Sequence, residues 1–159
     1  MTAQQRMNDA FKKFKDYFDG RGLKYGTEKS PSGNDVIEIG GKGKDLSMNF
    51  KITFDVKNEA IVLYSPMPFN FDEEKMVEGA LVCSMLTDRF REGSFDFNVT
   101  QGSITFRLVN VVMGMTVSSE LCAHMFELAV HTVDLYNDKL FMVAKGMLTP
   151  QEFYDKISG

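Results

Sequence analysis

Residues 45–56 read Asp45-Leu46-Ser47-Met48-Asn49-Phe50-Lys51-Ile52-Thr53-Phe54-Asp55-Val56, with an apolar side chain at every second position. Successive strand side chains point to opposite faces, so this period of two predicts a strand with one buried and one wet face. Leu46, Met48, Phe50, Ile52, Phe54 and Val56 form the dry side, and the intervening polar residues form the other. A strand of that kind needs cover on one side only, which is the habit of an antiparallel sheet backed by helices.

Helices to supply the cover stand on both sides of it. Met7, Ala10, Phe11, Phe14, Tyr17 and Phe18 recur at helical spacing, and Gly20 and Gly22 end the pattern. Lys12, Lys13 and Lys15 lie beside this stripe, but Asp9, Asp16 and Asp19 dilute the charge, so it packs on a sheet rather than on a membrane. After this N-terminal helix over residues 1–20 come short strands at 23–27 and 35–39, divided by the turn cluster Ser30-Pro31-Ser32-Gly33-Asn34. Residues 40–44, GGKGK, read as a flexible hairpin loop leading into 45–56. Lys57-Asn58-Glu59 turns the chain into the strand 60–65, and Pro66-Met67-Pro68 is expected to stop the sheet.

A helix is predicted from about Asp72 to Phe90, with Phe71 and Met76 as a hydrophobic staple around an Asp72 cap. The hairpin 94–99 and 103–112 follows. A long helix starts near Ser118 or Ser119 and runs to about Lys145, ended by Gly146. Thr149-Pro150-Gln151-Glu152 is a capping box with proline at the first helical position, opening a short helical extension over 147–159. The expected fold is α+β in the order α-β-β-β-β-α-β-β-α-α, a single domain of residues 1–159 with helices on one face of an antiparallel sheet.

Composition narrows the function. The chain has 159 residues, 43% hydrophobic and 25% charged, with a formal net charge of -4. Its sequence pI is near 5.2. A nucleic-acid binder would carry a basic excess, so no nucleic-acid partner is expected. The N-terminal stretch has no uninterrupted apolar core of a signal peptide, and no run approaches a membrane span, so the expectation is a cytoplasmic protein with no membrane partner. Cys83 and Cys122 lie within helical patterns among apolar neighbours. Buried free thiols are the expected state, with a Cys83–Cys122 disulfide as the other arrangement weighed. The sequon Asn98-Val99-Thr100 counts only in a secreted eukaryotic protein and is set aside.

Catalytic motifs are absent. Gly40-Gly41-Lys42-Gly43-Lys44 lacks the earlier glycine, the following Ser or Thr and the helix of a phosphate-binding loop. No nucleophile elbow occurs, and no Cys-His pair is apparent. His124 and His131 share a stripe of the long helix with Glu120 and Glu127, extended by Asp134 and Asp138. Side chains on one exposed helical face converge poorly on a metal, so neither a metal nor any other cofactor is expected. The chain is not expected to be an enzyme.

Two features favour recognition instead. Eleven methionines are many for this length, and Met113-Gly114-Met115 lies at the handover from strand to long helix. The helix after Asp72 carries Met76, Ala80, Cys83 and Phe90 on one side and Leu81, Val82 and Met85 on the other. Leu81, Val82 and Met85 are therefore the candidate contact of a homodimer, with burial under a terminal helix of the same chain as the competing account. Asn49, Lys51 and Thr53 on the wet strand face, with Met113 and Met115, are the candidate partner-binding residues.

Residues 86–121, LTDRFREGSFDFNVTQGSITFRLVNVVMGMTVSSEL, together with VDLYNDKL at 133–140 and Gly146, resemble the YbjN-like family of bacterial sensory transduction regulators. The likeness runs through residues 20–147 in element order. That order is also similar to class I type III secretion chaperones, small acidic dimers that hold an effector segment extended. The resemblance supplies no catalytic residues. It implies a regulatory or chaperone-like module binding a segment of a partner protein of unknown identity. The alternative is a small-molecule or metal-binding sensor, using the histidine stripe or a pocket near Met113–Met115.

Overall fold

In the computed structural model, which describes residues 1–159, the alternating stretch forms a strand, β3, over Ser47–Asp55. Phe50, Ile52 and Phe54 are buried on one side, while Lys51 is exposed on the other. Around it lie β1 (Gly26–Lys29), β2 (Asp35–Lys42), β4 (Ala60–Asn70), β5 (Ser94–Asn98) and β6 (Ser103–Val111). The six strands make one antiparallel sheet in the order β1-β2-β3-β4-β6-β5, so β3 and β4 are its central pair.

Four helices complete the chain: α1 (Ala3–Gly20), α2 (Met76–Thr87), α3 (Ser119–Ala144) and α4 (Pro150–Ser158). The element order is the expected one. α1 buries Met7, Ala10, Phe14 and Phe18. The Phe14 ring stands edge-on to Phe54 of β3, and Phe126 of α3 does the same to Phe50, with centroids 5.5 and 5.6 Å apart. Aromatic pairs in this geometry add to the stabilisation from burial itself. The core forms a continuous cluster that joins the dry faces of the strands to the inner stripes of the helices. All four helices contribute buried residues to it.

The start signals of the last two helices act as their chemistry requires. The Ser118 hydroxyl accepts from the Leu121 N–H at 3.0 Å. Thr149 and Glu152 make both bonds of the capping box, at 3.1 and 3.0 Å, with Pro150 at the first position.

Three boundaries differ from the sequence expectation. β2 runs on through Gly40 and Gly41 to Lys42, which pair with Asn49, Met48 and Ser47, so only the tip of the GGKGK stretch is a turn. The turn is clamped from outside, because the Lys44 N–H donates to Asp134 Oδ1 of α3 at 2.7 Å. A side chain at Gly43 would collide with that carboxylate and approach the Leu46 carbonyl oxygen to 2.8 Å. Pro66 and Pro68 do not stop β4, which continues to Asn70. Its ladder to β3 ends at Tyr64, and its register to β6 slips between Pro66 and Asn70. Proline lacks an N–H to donate, and here pairing is interrupted where the prolines lie. Finally, the chain after Asp72 first winds as a tight turn over Glu73–Lys75, with no side-chain cap from Asp72, and α2 begins only at Met76.

Candidate functional site

The helices cover one side of the sheet and leave the other open. Residues paired directly across antiparallel strands share a face, so the register assigns the open side. One row runs Glu28, Val36, Thr53, Val62, Val109 from β1 to β6. The next runs Gly26, Glu38, Lys51, Tyr64, Arg107, Ser94 from β1 to β5. Beyond it lie Asn49, Pro66, Thr105 and Asp96.

This surface is not uniformly polar. Tyr64 and Val109 are each 40% exposed, and Val111 is 60% exposed at the end of β6. Val36 is buried yet lies outside the core cluster, as expected for a residue on the open side. The Lys51 ammonium reaches Glu28 at 3.6 Å and Glu38 at 4.0 Å, and Val36 stands between these strands in the register. Asn49 donates to Glu38 at 3.4 Å. On the far side of Tyr64, Arg107 donates from Nε to Asp96 Oδ2 at 2.7 Å, and the Ser94 hydroxyl holds the other carboxylate oxygen at 2.6 Å. Lys51, Tyr64, Pro66, Asp96 and Thr105 line a shallow depression of about 670 Å3. Along the strand register, Tyr64 stands between Lys51 and Arg107, whose carboxylate partners Glu38 and Asp96 lie outside them.

The candidates read from the sequence divide between this face and elsewhere. Asn49, Lys51 and Thr53 lie on it. Met113 and Met115 are exposed but follow β6 at the opposite end of the strands from Asn49. Their loop is tied down by Glu59, which accepts from the Gly114 N–H at 3.2 Å. Tyr64, Val62, Val109 and Arg107 escaped the sequence reading. Their signal was present, since they occupy the wet phase of 60–65 and 103–111 where only polar residues would be needed.

The helix-borne candidate needs a correction. Val82 is fully buried, and Met85 is half-buried against the core; of the three, Leu81 alone is exposed. α2 is packed between β5 on one side and α3 and α4 on others, so two of its sides face its own chain. Val82 therefore cannot stand in water in the single chain as the sequence reading required.

The histidine stripe does not gather. His124 lies 2.9 Å from Glu92, which precedes β5. Glu127 instead accepts from the Tyr17 hydroxyl at 3.1 Å, and Asp134 is engaged by Lys44. No group of three or more His, Cys, Asp or Glu side chains is placed to hold a metal ion. Cys83 borders a groove of about 610 Å3 between α2 and β5. Burial pushes its thiol up to about 12, and the same cause raises Cys122 to about 12. Both remain free and protonated at neutral pH, a state without nucleophilic strength. No helix is long and apolar enough to cross a membrane.

No protein-family model matches the chain, and no curated protein matches it in sequence. Its fold does match a solved structure. The crystal structure of YbjN from E. coli, described as "a putative transcription regulator", superposes with a TM-score of 0.59 over 86% of this chain and 93% of that one. Identity is 12%, so the likeness establishes the fold: a YbjN-like α+β architecture with an open six-stranded sheet.

Proposed function

We propose that this YbjN-like chain is a regulatory module without catalytic chemistry, which works by holding a segment of a partner protein on the open face of its sheet. One observation carries the reading: Val62, Tyr64 and Val109 stand on the uncovered side of the central strands, inside a border of charged side chains. An apolar centre within a polar rim is the anatomy of a protein contact, and tyrosine and arginine are the residues that most often anchor one.

The regulatory half of the reading draws on the structural neighbour, whose description names transcription regulation. The net charge of -4 points to action through protein contact rather than on nucleic acid. Lys51 and Arg107 beside Glu38 and Asp96 suit a segment of mixed charge with one or two apolar side chains.

Affinity capture from the native cell tests this. Tyr64→Ala and Val109→Asp should lose the proteins retained by the wild type, while Lys12→Ala on the outer surface of α1 should keep them. Retention of the same proteins by both sheet variants, with their folding verified by circular dichroism, would contradict the proposal.

A further inference from the structure

The two edges of the sheet differ in how they meet solvent. At one edge, β1 is four exposed residues long, and its Glu28 and Lys29 pair with Lys51 and Asp35. Shortness and charge blunt an edge against further strand pairing. At the other edge, β5 carries Phe95 and Phe97 on the side where α2 packs. The Phe97 ring lies so close to that helix that a Cβ on Gly79 would stand 2.3 Å from it.

The outward backbone of β5 is only partly served. The Phe95 N–H donates to the Thr87 hydroxyl at 3.0 Å, and that hydroxyl reaches the Phe95 carbonyl at 3.4 Å. A side chain of α2 thus occupies the place of a further strand. Backbone groups alternate in direction along an antiparallel strand, so the N–H and C=O of Phe97 also point away from β6. No side chain serves them as Thr87 serves Phe95.

We propose that a short, basic, extended segment of a partner protein pairs with β5 at Phe97 as a seventh strand, in the groove of about 610 Å3 between β5 and α2. This is a second contact, separate from the open face, and its test is independent of that reading.

An added strand needs a lane about 4.8 Å from β5. The α2 surface along that lane presents Ala80, Cys83 and Ser84, whose short side chains leave the room. Residues paired directly across strands share a face, so the partner residue opposite Phe97 turns toward α2. A small apolar side chain fits there, and its neighbours in the segment turn to the open side. Thr87 stops the pairing at Phe95, which keeps the segment short.

Charge selects the occupant. Asp88 and Asp96 line the groove, and no lysine or arginine does. Asp96 is matched by Arg107 at 2.7 Å, whereas Asp88 forms no ion pair and caps the C-terminal end of α2. That end of a helix carries partial negative charge of its own. A lysine or arginine at the end of the segment nearest Thr87 complements both.

Panning the purified full chain against a displayed library of random linear peptides tests this, followed by anisotropy titration of the strongest peptide. Enriched sequences should carry Lys or Arg beside strand formers such as Val, Ile and Thr. Ser84→Arg, at an exposed position, fills the lane and should abolish binding. Asp88→Lys should weaken binding by about tenfold without lowering the melting temperature, because a cation suits a helix C-terminus. Hydrogen exchange should show new protection of the Phe97 amide in the complex. Peptides that bind both variants as well as the wild type, or that leave the Phe97 amide unprotected, would overturn the inference. So would a library that yields no enriched sequence. Binding kept in Ser84→Arg but lost in Tyr64→Ala would assign the peptides to the open face, supporting the proposed function and contradicting this site.

Discussion

Arg6 on α1 and Glu59 in the β3–β4 turn form an ion pair that fastens the first helix to the sheet. The Arg6 Nε donates to Glu59 Oε1 at 2.8 Å, and the same oxygen accepts from the Gly114 N–H. The Glu59 carbonyl takes the Val112 N–H at 2.8 Å. Glu59 holds these bonds with a φ of 46°, a conformation that residues with a side chain seldom adopt. One residue thereby positions the helix, the end of β6 and the loop bearing Met113 and Met115.

That clamp should respond to pH. The hydrogen bond from Arg6, and after it that from the Gly114 N–H, hold the Glu59 carboxyl below the ordinary carboxylate range. A depressed carboxylate contributes stability that is complete above its unfolded value and is lost as pH falls through its folded value. Protection of the Val112–Met115 amides against hydrogen exchange should therefore drop on acidification below the carboxylate range, beyond any change in the central strands. Glu59→Gln should flatten that dependence. An equally steep loss in the variant would assign the effect to other groups.

The two faces of β3 should differ in tolerance. Phe50→Ala should cost about 3–5 kcal/mol, because a buried ring would leave a cavity beneath α3. Thr53→Ala on the open side should stay within about 0.5 kcal/mol. Urea unfolding of both variants is the check, and similar costs would contradict a one-sided sheet.

On α2, neighbouring positions should give opposite results. Val82→Glu places a charge in a fully buried site and should unfold the protein or cost at least about 4 kcal/mol. Leu81→Glu, on a residue 45% exposed, should leave a folded chain with a change of less than about 1 kcal/mol. Thermal melts distinguish them.

The thiols should be silent in the native protein. Cys83 and Cys122 are buried, with both thiols pushed up to about 12, so almost no thiolate exists at neutral pH. A disulfide reagent should modify neither until denaturant is added. Rapid modification of one cysteine in the folded state would reveal an opening near α2 or α3.

The order of the elements was legible because the signals are local. Alternation over 45–56, the Thr149–Glu152 capping box and the Ser118 cap each depend on residues close in sequence, and each appears where that chemistry puts it. What escaped depends on distant neighbours. Gly40 and Gly41 join β2 because Asn49 and Met48 are there to pair with them, and Pro66 stays in β4 because Thr105 stands opposite. Val82 could not be assigned to core or surface from α2 alone, since both sides of that helix are apolar and α4 comes more than sixty residues later. The open face was half legible for the same reason: Lys51 and Thr53 show as the wet phase of one strand, but only the register brings Tyr64 and Arg107 alongside.

The central claim is that protein contact takes place on the open side of the sheet. Site-specific photo-crosslinking in the native cell tests it most directly, with the photoreactive residue placed at Tyr64 in one variant and at Lys12, on the outer face of α1, in another. The account predicts covalent protein adducts from position 64 and none above background from position 12. Adducts from position 12 with none from position 64 would contradict it.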